Sequence, residues 1–147
     1  MERTHYLKTA ISVYIRTNNN RDRTAGLLRN WAARWRGAYA RMELNDSDVN
    51  EEAFGPILPN EPKWPERKLK LMSHIRQQAW QKAIEWGTDF YWSPDVDTYW
   101  IPQTLEYLIR KDLPIVGPLL RDAPREKKPS TWFINAHVTY RVTKEGR

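Results

Sequence analysis

Short β-branched or aromatic runs alternate with helix-periodic segments along almost the whole chain, and this alternation restricts the fold more than any other feature. Ala10-Ile-Ser-Val-Tyr-Ile15 reads as a buried strand that breaks at Arg16-Thr-Asn-Asn-Asn20, where asparagines tolerate turn geometry. A helix follows, with Asp22 or Thr24 near its cap and Leu27, Leu28, Trp31, Ala32 and Trp35 on one face; Gly37 stops it. Residues 39–44 read as a second strand ending in Asn45-Asp-Ser-Asp48, and residues 66–86 as a long helix buried along Met72, Ile75, Ala79, Ala83 and Trp86. Gly87 suits the position after that helix. A strand at 89–92, a short helix at 103–110 and a buried strand at 114–120 come next. Residues 132–143 then alternate, with Trp132, Ile134, Ala136, Val138, Tyr140 and Val142 on one face, as in a half-covered strand.

The order β-α-β-α-β-α-β-β predicts an α/β fold: a mainly parallel sheet with right-handed crossovers, flanked by helices, in a single domain over 1–147. Prolines at 56, 59, 62 and 65 remove backbone donors, so residues 55–66 should form an extended surface connection. Residues 121–130 should form a polar, basic loop.

The chain of 147 residues has no cysteine, which excludes disulfides, thiolate metal sites and a thiol nucleophile. The first residues lack the apolar core of a signal peptide, and no window approaches a membrane span, so a soluble, cytoplasmic protein is expected. A formal charge of +6 suggests an anionic partner such as a phosphate-bearing ligand.

Parallel sheets bind ligands outside the carboxyl ends of their strands, and three polar clusters fall there: residues 16–20, 45–48 and 94–98. In the third, Asp95 and Asp97 stand one residue apart, so an extended or tightly turned backbone aims both carboxylates at one point. Two converging carboxylates suit Mg²⁺ or Mn²⁺; the competing reading is a solvated turn or helix cap. No Gly-x-Gly-x-x-Gly or Walker-type loop occurs, which disfavours those phosphate cradles.

Several of these pieces, taken in order, carry a resemblance. They are the opening strand with Arg16-Thr-Asn-Asn, the stretch Asn45-Asp-Ser-Asp-Val-Asn50, the helix His74-Ile-Arg-Gln-Gln-Ala-Trp-Gln-Lys-Ala83, and Asp89-Phe-Tyr-Trp-Ser-Pro-Asp-Val-Asp97. Ile101-Pro-Gln-Thr-Leu105 and Leu113-Pro-Ile-Val-Gly-Pro-Leu-Leu-Arg121 complete them. The chain resembles the nucleotide-sugar-binding part of GT-A (Rossmann-like) glycosyltransferases, and within them the procollagen galactosyltransferase-like and large-virus glycosyltransferase domains. The resemblance implies transfer of a sugar from a nucleoside diphosphate, UDP favoured, to a hydroxyl on a glycan, protein or lipid acceptor. It implies that Arg16, Thr17, Asn18 and Asn19 line the nucleoside, that Asp46 faces base or ribose, and that Arg76 reaches towards the nucleotide or supports the aspartate pair. Asp95 would lie nearer the ribose, and Asp95 and Asp97 would hold Mn²⁺ or Mg²⁺. Relatives of this kind often complete the metal with a late histidine, for which His137 is the candidate, against a simply exposed side chain. They also continue into an acceptor-facing region, so the chain resembles a short or C-terminally truncated version, open to a partner domain or a homo-oligomer. No catalytic base is identifiable.

Two other readings compete. One is a catalytically inactive, nucleotide-sugar-binding remnant. The other is a basic nucleic-acid-binding module in which arginines meet phosphate and Trp64, Trp92 or Trp100 stack on bases. Trp31, Trp35 and Trp86 fall on apolar helix faces and no nucleic-acid-binding motif is present, so a nucleic-acid partner is not expected.

Overall fold

Ser12–Arg16 forms strand β1 and Arg41–Asn45 forms β2, paired parallel in a register that runs from Ser12 opposite Arg41 to Arg16 opposite Asn45. The computed structural model describes residues 3–48, 65–94, 100–117, 120–121, 132–133 and 139–141. Helix α1, Thr24–Trp35, links the two strands; Asp22 Oδ1 accepts the Thr24 N–H at 2.9 Å just before its first turn. The Thr24 side-chain hydrogen bond first, and this N–H bond next, hold the Asp22 carboxyl below the usual carboxylate range.

Helix α1 buries Ala32 and packs Trp31 against Tyr39, ring centroids 6.2 Å apart. Leu27, expected on the same face, is 67% exposed. At about 100° per residue it stands roughly 140° round the helix from Ala32, outside a stripe this narrow.

Helix α2 runs Glu66–Glu85, close to the expected span, and buries Ile75 and Ala83. Its residues at intervals of four meet the β1–β2 sheet. Trp86, at the helix end, packs edge-on against Tyr14 at 6.3 Å; Lys82 pairs with Glu43 at 3.4 Å; Gln78 reaches Arg16. Tyr14, Arg16 and Glu43 share one sheet face because side chains alternate and Tyr14 lies opposite Glu43. Lys82 also pairs with Glu85 at 2.9 Å; its ammonium is held above the usual lysine range chiefly by Glu85, with Glu43 adding to it. Gly87 follows with φ +66°, the left-handed conformation that glycine adopts without a Cβ penalty.

Beyond it lie β3, Phe90–Trp92; α3, Thr104–Arg110; β4, Ile115–Val116; β5, Leu120–Arg121; β6, Trp132–Phe133; and β7, Thr139–Arg141. β7 lies between β3 and β4 and runs antiparallel to both; β5 pairs antiparallel with β6. Among the described residues, therefore, parallel pairing is confined to β1–β2, where the sequence predicts a mainly parallel sheet. β3 and β4 do run the same way, as strands joined by a helix should, but they are not neighbours. The last described strand, β7, lies between them and runs in the opposite direction.

The expected strand over 132–143 is described as two short pieces with different partners, β6 with β5 and β7 with β3 and β4. The expected buried strand over 114–120 differs too, since Ile115 is 61% exposed: among the described residues β4 occupies the sheet edge, with a partner on one side only.

Contacts divide the chain into two compact units, Lys8–Trp86 and Met1–Leu7 with Gly87–Arg147. The first has Ile11, Val13, Ala32, Tyr39, Ile75 and Ala83 as its core, and the second has Leu105 and Leu108. Most of the proline-rich connection at 55–66 and of the basic loop at 121–130 lies outside the described residues, which reach them only at Pro65, Glu66 and Arg121. Among the described residues, no helix is long and apolar enough to cross a membrane.

Candidate functional site

Where β1 and β2 end, their parallel register brings Arg16 and Asn45 side by side, so the loops that follow leave the sheet together. The ladder continues one step into the loops, with the Thr17 N–H donating to the Asn45 carbonyl at 3.1 Å. The Asn19 N–H donates to Asp48 Oδ1 at 2.8 Å, crossing between the loops a second time. Asn19 has φ 48°, a left-handed conformation that asparagine tolerates better than most residues. Within the first loop, Thr17 Oγ1 and the Asn20 amide are hydrogen-bonded, and Asn18 Nδ2 donates to Asn19 Oδ1 at 3.0 Å. Within the second, Asn45 Oδ1 accepts from the Ser47 N–H at 3.1 Å and from its hydroxyl at 2.7 Å, a local turn of the kind asparagine favours.

Arg16 lies at the centre of this rim. Its Nη1 donates to the carbonyl oxygens of Thr17, of Asn45 at 3.3 Å and of Ser47 at 2.9 Å. Its Nε faces Gln78 Oε1 at 3.5 Å, and Gln78 Nε2 lies 3.1 Å from His74 Nε2. Asp46 is held from the other flank by Arg29 of α1, Nη2 to Oδ2 2.5 Å; its side chain is 24% exposed and that of Arg29 64%.

The structure thus brings together Arg16, Thr17, Asn18, Asn19 and Asp46 on one rim of the Lys8–Trp86 unit. Arg76 stands exposed on α2, two residues from Gln78. Arg29, His74 and Gln78 belong to the rim beside Ser47 of the expected 45–48 cluster, and these three are missed as site residues by sequence reasoning. They lie off the apolar stripes of α1 and α2, and the signal that could find Gln78 is its four-residue spacing from Lys82 and Trp86.

Asp95, Asp97 and His137 lie outside the described residues. Among the described residues no group of three or more histidine, aspartate or glutamate side chains could hold a metal ion. The donor chemistry of Asp95 and Asp97, two carboxylates one residue apart, fits a hard divalent cation. Trp92 packs edge-on against Trp100 with centroids 4.9 Å apart, so these two rings meet each other where the nucleic-acid reading has them stack on bases.

In the Gly87–Arg147 unit a half-open cleft of about 570 Å³ is lined by Ile101, Tyr107, Leu108, Leu113 and Val116, with Lys111 Nζ 4.6 Å from the Tyr107 ring centre. Its walls are mainly apolar, in contrast to the rim.

Residues 1–135 match the family described as glycosyltransferase family 25, N-terminal domain. The chain is 32% identical over 122 residues to "Inactive glycosyltransferase 25 family member 3" of Mus musculus, covering 82% of this chain and 20% of that protein. It is 31% identical over 121 residues to "Procollagen galactosyltransferase 2" of Homo sapiens, covering 82% of this chain and 19% of that protein. With "Procollagen galactosyltransferase 1-A" of Xenopus laevis it shares 28% over 120 residues, 79% of this chain and 19% of that protein. The chain thus spans about a fifth of the length of these curated relatives. No solved structure matches it. With a family match over most of its length and relatives near 30% identity, the chain belongs to glycosyltransferase family 25 and corresponds to its N-terminal domain.

Proposed function

We propose that this chain is a metal-dependent glycosyltransferase domain of the GT-A type. It takes a nucleoside-diphosphate sugar, with UDP as the favoured carrier, and delivers the sugar to a hydroxyl acceptor. The observation that carries this reading is the rim: two loops at the carboxyl ends of parallel strands, already bonded to each other, in a chain of this family. Such a rim presents amide and hydroxyl groups to the nucleoside at little further ordering cost. Thr17 to Asn19 line the nucleoside, Asp46 faces the base or ribose, and Arg76 reaches towards the nucleotide from α2. Arg29 keeps Asp46 paired, so the carboxylate does not repel an incoming diphosphate.

Asp95 and Asp97 hold Mn²⁺ or Mg²⁺ in this reading, with His137 as the candidate third ligand. When bound, the ion neutralises charge developing on the diphosphate leaving group.

The names of the relatives favour a second reading as well, because some are called galactosyltransferases and others inactive. Calorimetric titration with UDP, GDP and their sugars, with and without Mn²⁺, tests the donor site. The expected outcome is Mn²⁺-dependent binding of UDP that disappears in Asp97→Ala while the circular dichroism spectrum is unchanged. Unchanged affinity and Mn²⁺ dependence in that variant would remove the metal assignment. Binding without release of UDP in the presence of hydroxyl acceptors would select the inactive reading.

A further inference from the structure

We propose that Arg16 is a positioning residue and not a nucleotide ligand: its guanidinium pins the loops after β1 and β2 to each other and so sets the width of the rim. The inference rests on reading this rim as the nucleoside side of a donor site, and it assigns that site's spacing to a residue that never touches the ligand.

The argument starts from donor counting. A single guanidinium nitrogen, Nη1, has two hydrogens, yet three main-chain carbonyls converge on it: Thr17 from the first loop, Asn45 at the end of β2, and Ser47 from the second loop. At least one of these bonds is shared, so acceptors outnumber donors at this point. Three carbonyl oxygens aimed at one place repel each other unless a cation stands among them. The cation is therefore what permits the two loops to approach this closely.

The remaining contacts fix where that cation stands. Arg16 ends β1 directly opposite Asn45, so its Cα is set by the parallel ladder. Its Nε is met by Gln78 Oε1 from α2 at 3.5 Å, and the Gln78 amide is in turn steadied by His74 one turn earlier. Sheet and helix thus both orient one side chain whose output is the separation of two loops. Two amide hydrogens report that separation: Thr17 N–H bonded to the Asn45 carbonyl and Asn19 N–H bonded to Asp48.

The experiment compares the unaltered chain with Arg16→Met, which keeps the length but removes charge and donors, and Arg16→Lys, which restores a cation without the fork. Hydrogen exchange at Thr17 and Asn19 is followed by NMR in the ligand-free proteins, beside titration of UDP in Mn²⁺. Expected is an exchange rate raised about tenfold or more at both amides in Arg16→Met and largely recovered in Arg16→Lys, with UDP affinity falling and recovering in step. Loss of UDP binding in Arg16→Met with unchanged exchange would mean direct contact with the nucleotide and would overturn the positioning role. Unchanged exchange together with unchanged affinity overturns it equally. If the unaltered chain binds no nucleoside diphosphate, the donor-site reading fails, while the exchange comparison still decides whether Arg16 holds the loops. Should Arg16→Met not fold, Gln78→Ala removes only the Nε partner; a smaller rise at the same two amides supports the role, and no rise refutes it.

Discussion

The segments β1-α1-β2 and β3-α3-β4 are built from the same alternation and solve it differently. In the first, the two parallel strands are neighbours, and their ends hand over directly to a pair of interbonded polar loops. In the second, the strands also run the same way, but β7 separates them and pairs with both. A helical crossover dictates direction, not adjacency. The consequence is chemical. Adjacent parallel ends place two loops within hydrogen-bonding reach and make a rim; separated ends leave Ile115 exposed on an edge strand, near an apolar cleft.

The sharpest way to break this comparison is to disable the strand that causes it. Tyr140 lies in the central strand, opposite Tyr91 on one side and Ile115 on the other, so its N–H faces a neighbour whichever way it points. Tyr140→Pro is expected to cost more than about 3 kcal/mol in urea unfolding, whereas Ile115→Pro on the edge strand costs markedly less. Equal damage from the two would show that β4 is not an edge.

Smaller effects follow at two glycines, where regular local structure should govern the outcome. Gly87 has φ +66° and Gly26 sits inside α1, and an added Cβ meets nothing within 4 Å at either position. Space being equal, conformation decides. Gly87→Ala should destabilise by about 1 kcal/mol and Gly26→Ala should stabilise by up to about 1 kcal/mol, both read from thermal unfolding.

The smallest effect concerns Lys82, which ties α2 to β2. Its folded-state pKa is raised, so its contribution is fully present below the ordinary lysine value of about 10.4 and is lost as pH rises through the higher folded value. The melting temperature of the unaltered chain should therefore exceed that of Lys82→Met at pH 8, with the gap closing in strongly alkaline solution. A gap independent of pH would assign the effect to packing of the aliphatic stem instead.

These contrasts also explain what the sequence discloses. The α2 span, the glycine after it and the two rim loops are legible because each follows from local rules: helical periodicity, helix-end geometry and the preference of asparagine and aspartate for turns. The position of β7 is not, because pairing between distant short strands leaves no periodic trace, and the run at 132–143 alternates as one strand would. Gln78 and Arg29 escape for another reason. They are polar residues on helices, and polarity there marks solvent exposure unless the strand residues facing them are already known. The two aspartates are legible as a pair with metal chemistry, while their geometry depends on how the chain leaves β3.

The four-residue row on α2, Gln78, Lys82 and Trp86, has one more implication, for tolerance to length change. Each member meets a different partner on the β1–β2 sheet: Arg16, Glu43 and Tyr14. Inserting or deleting one residue ahead of Lys82 would turn everything downstream by about 100° relative to Gln78, so the three contacts could no longer be made from one helix face. Viable variants of this domain should therefore carry substitutions between 78 and 86 but no change of length there, and α2 acts as a vernier against which the sheet is aligned.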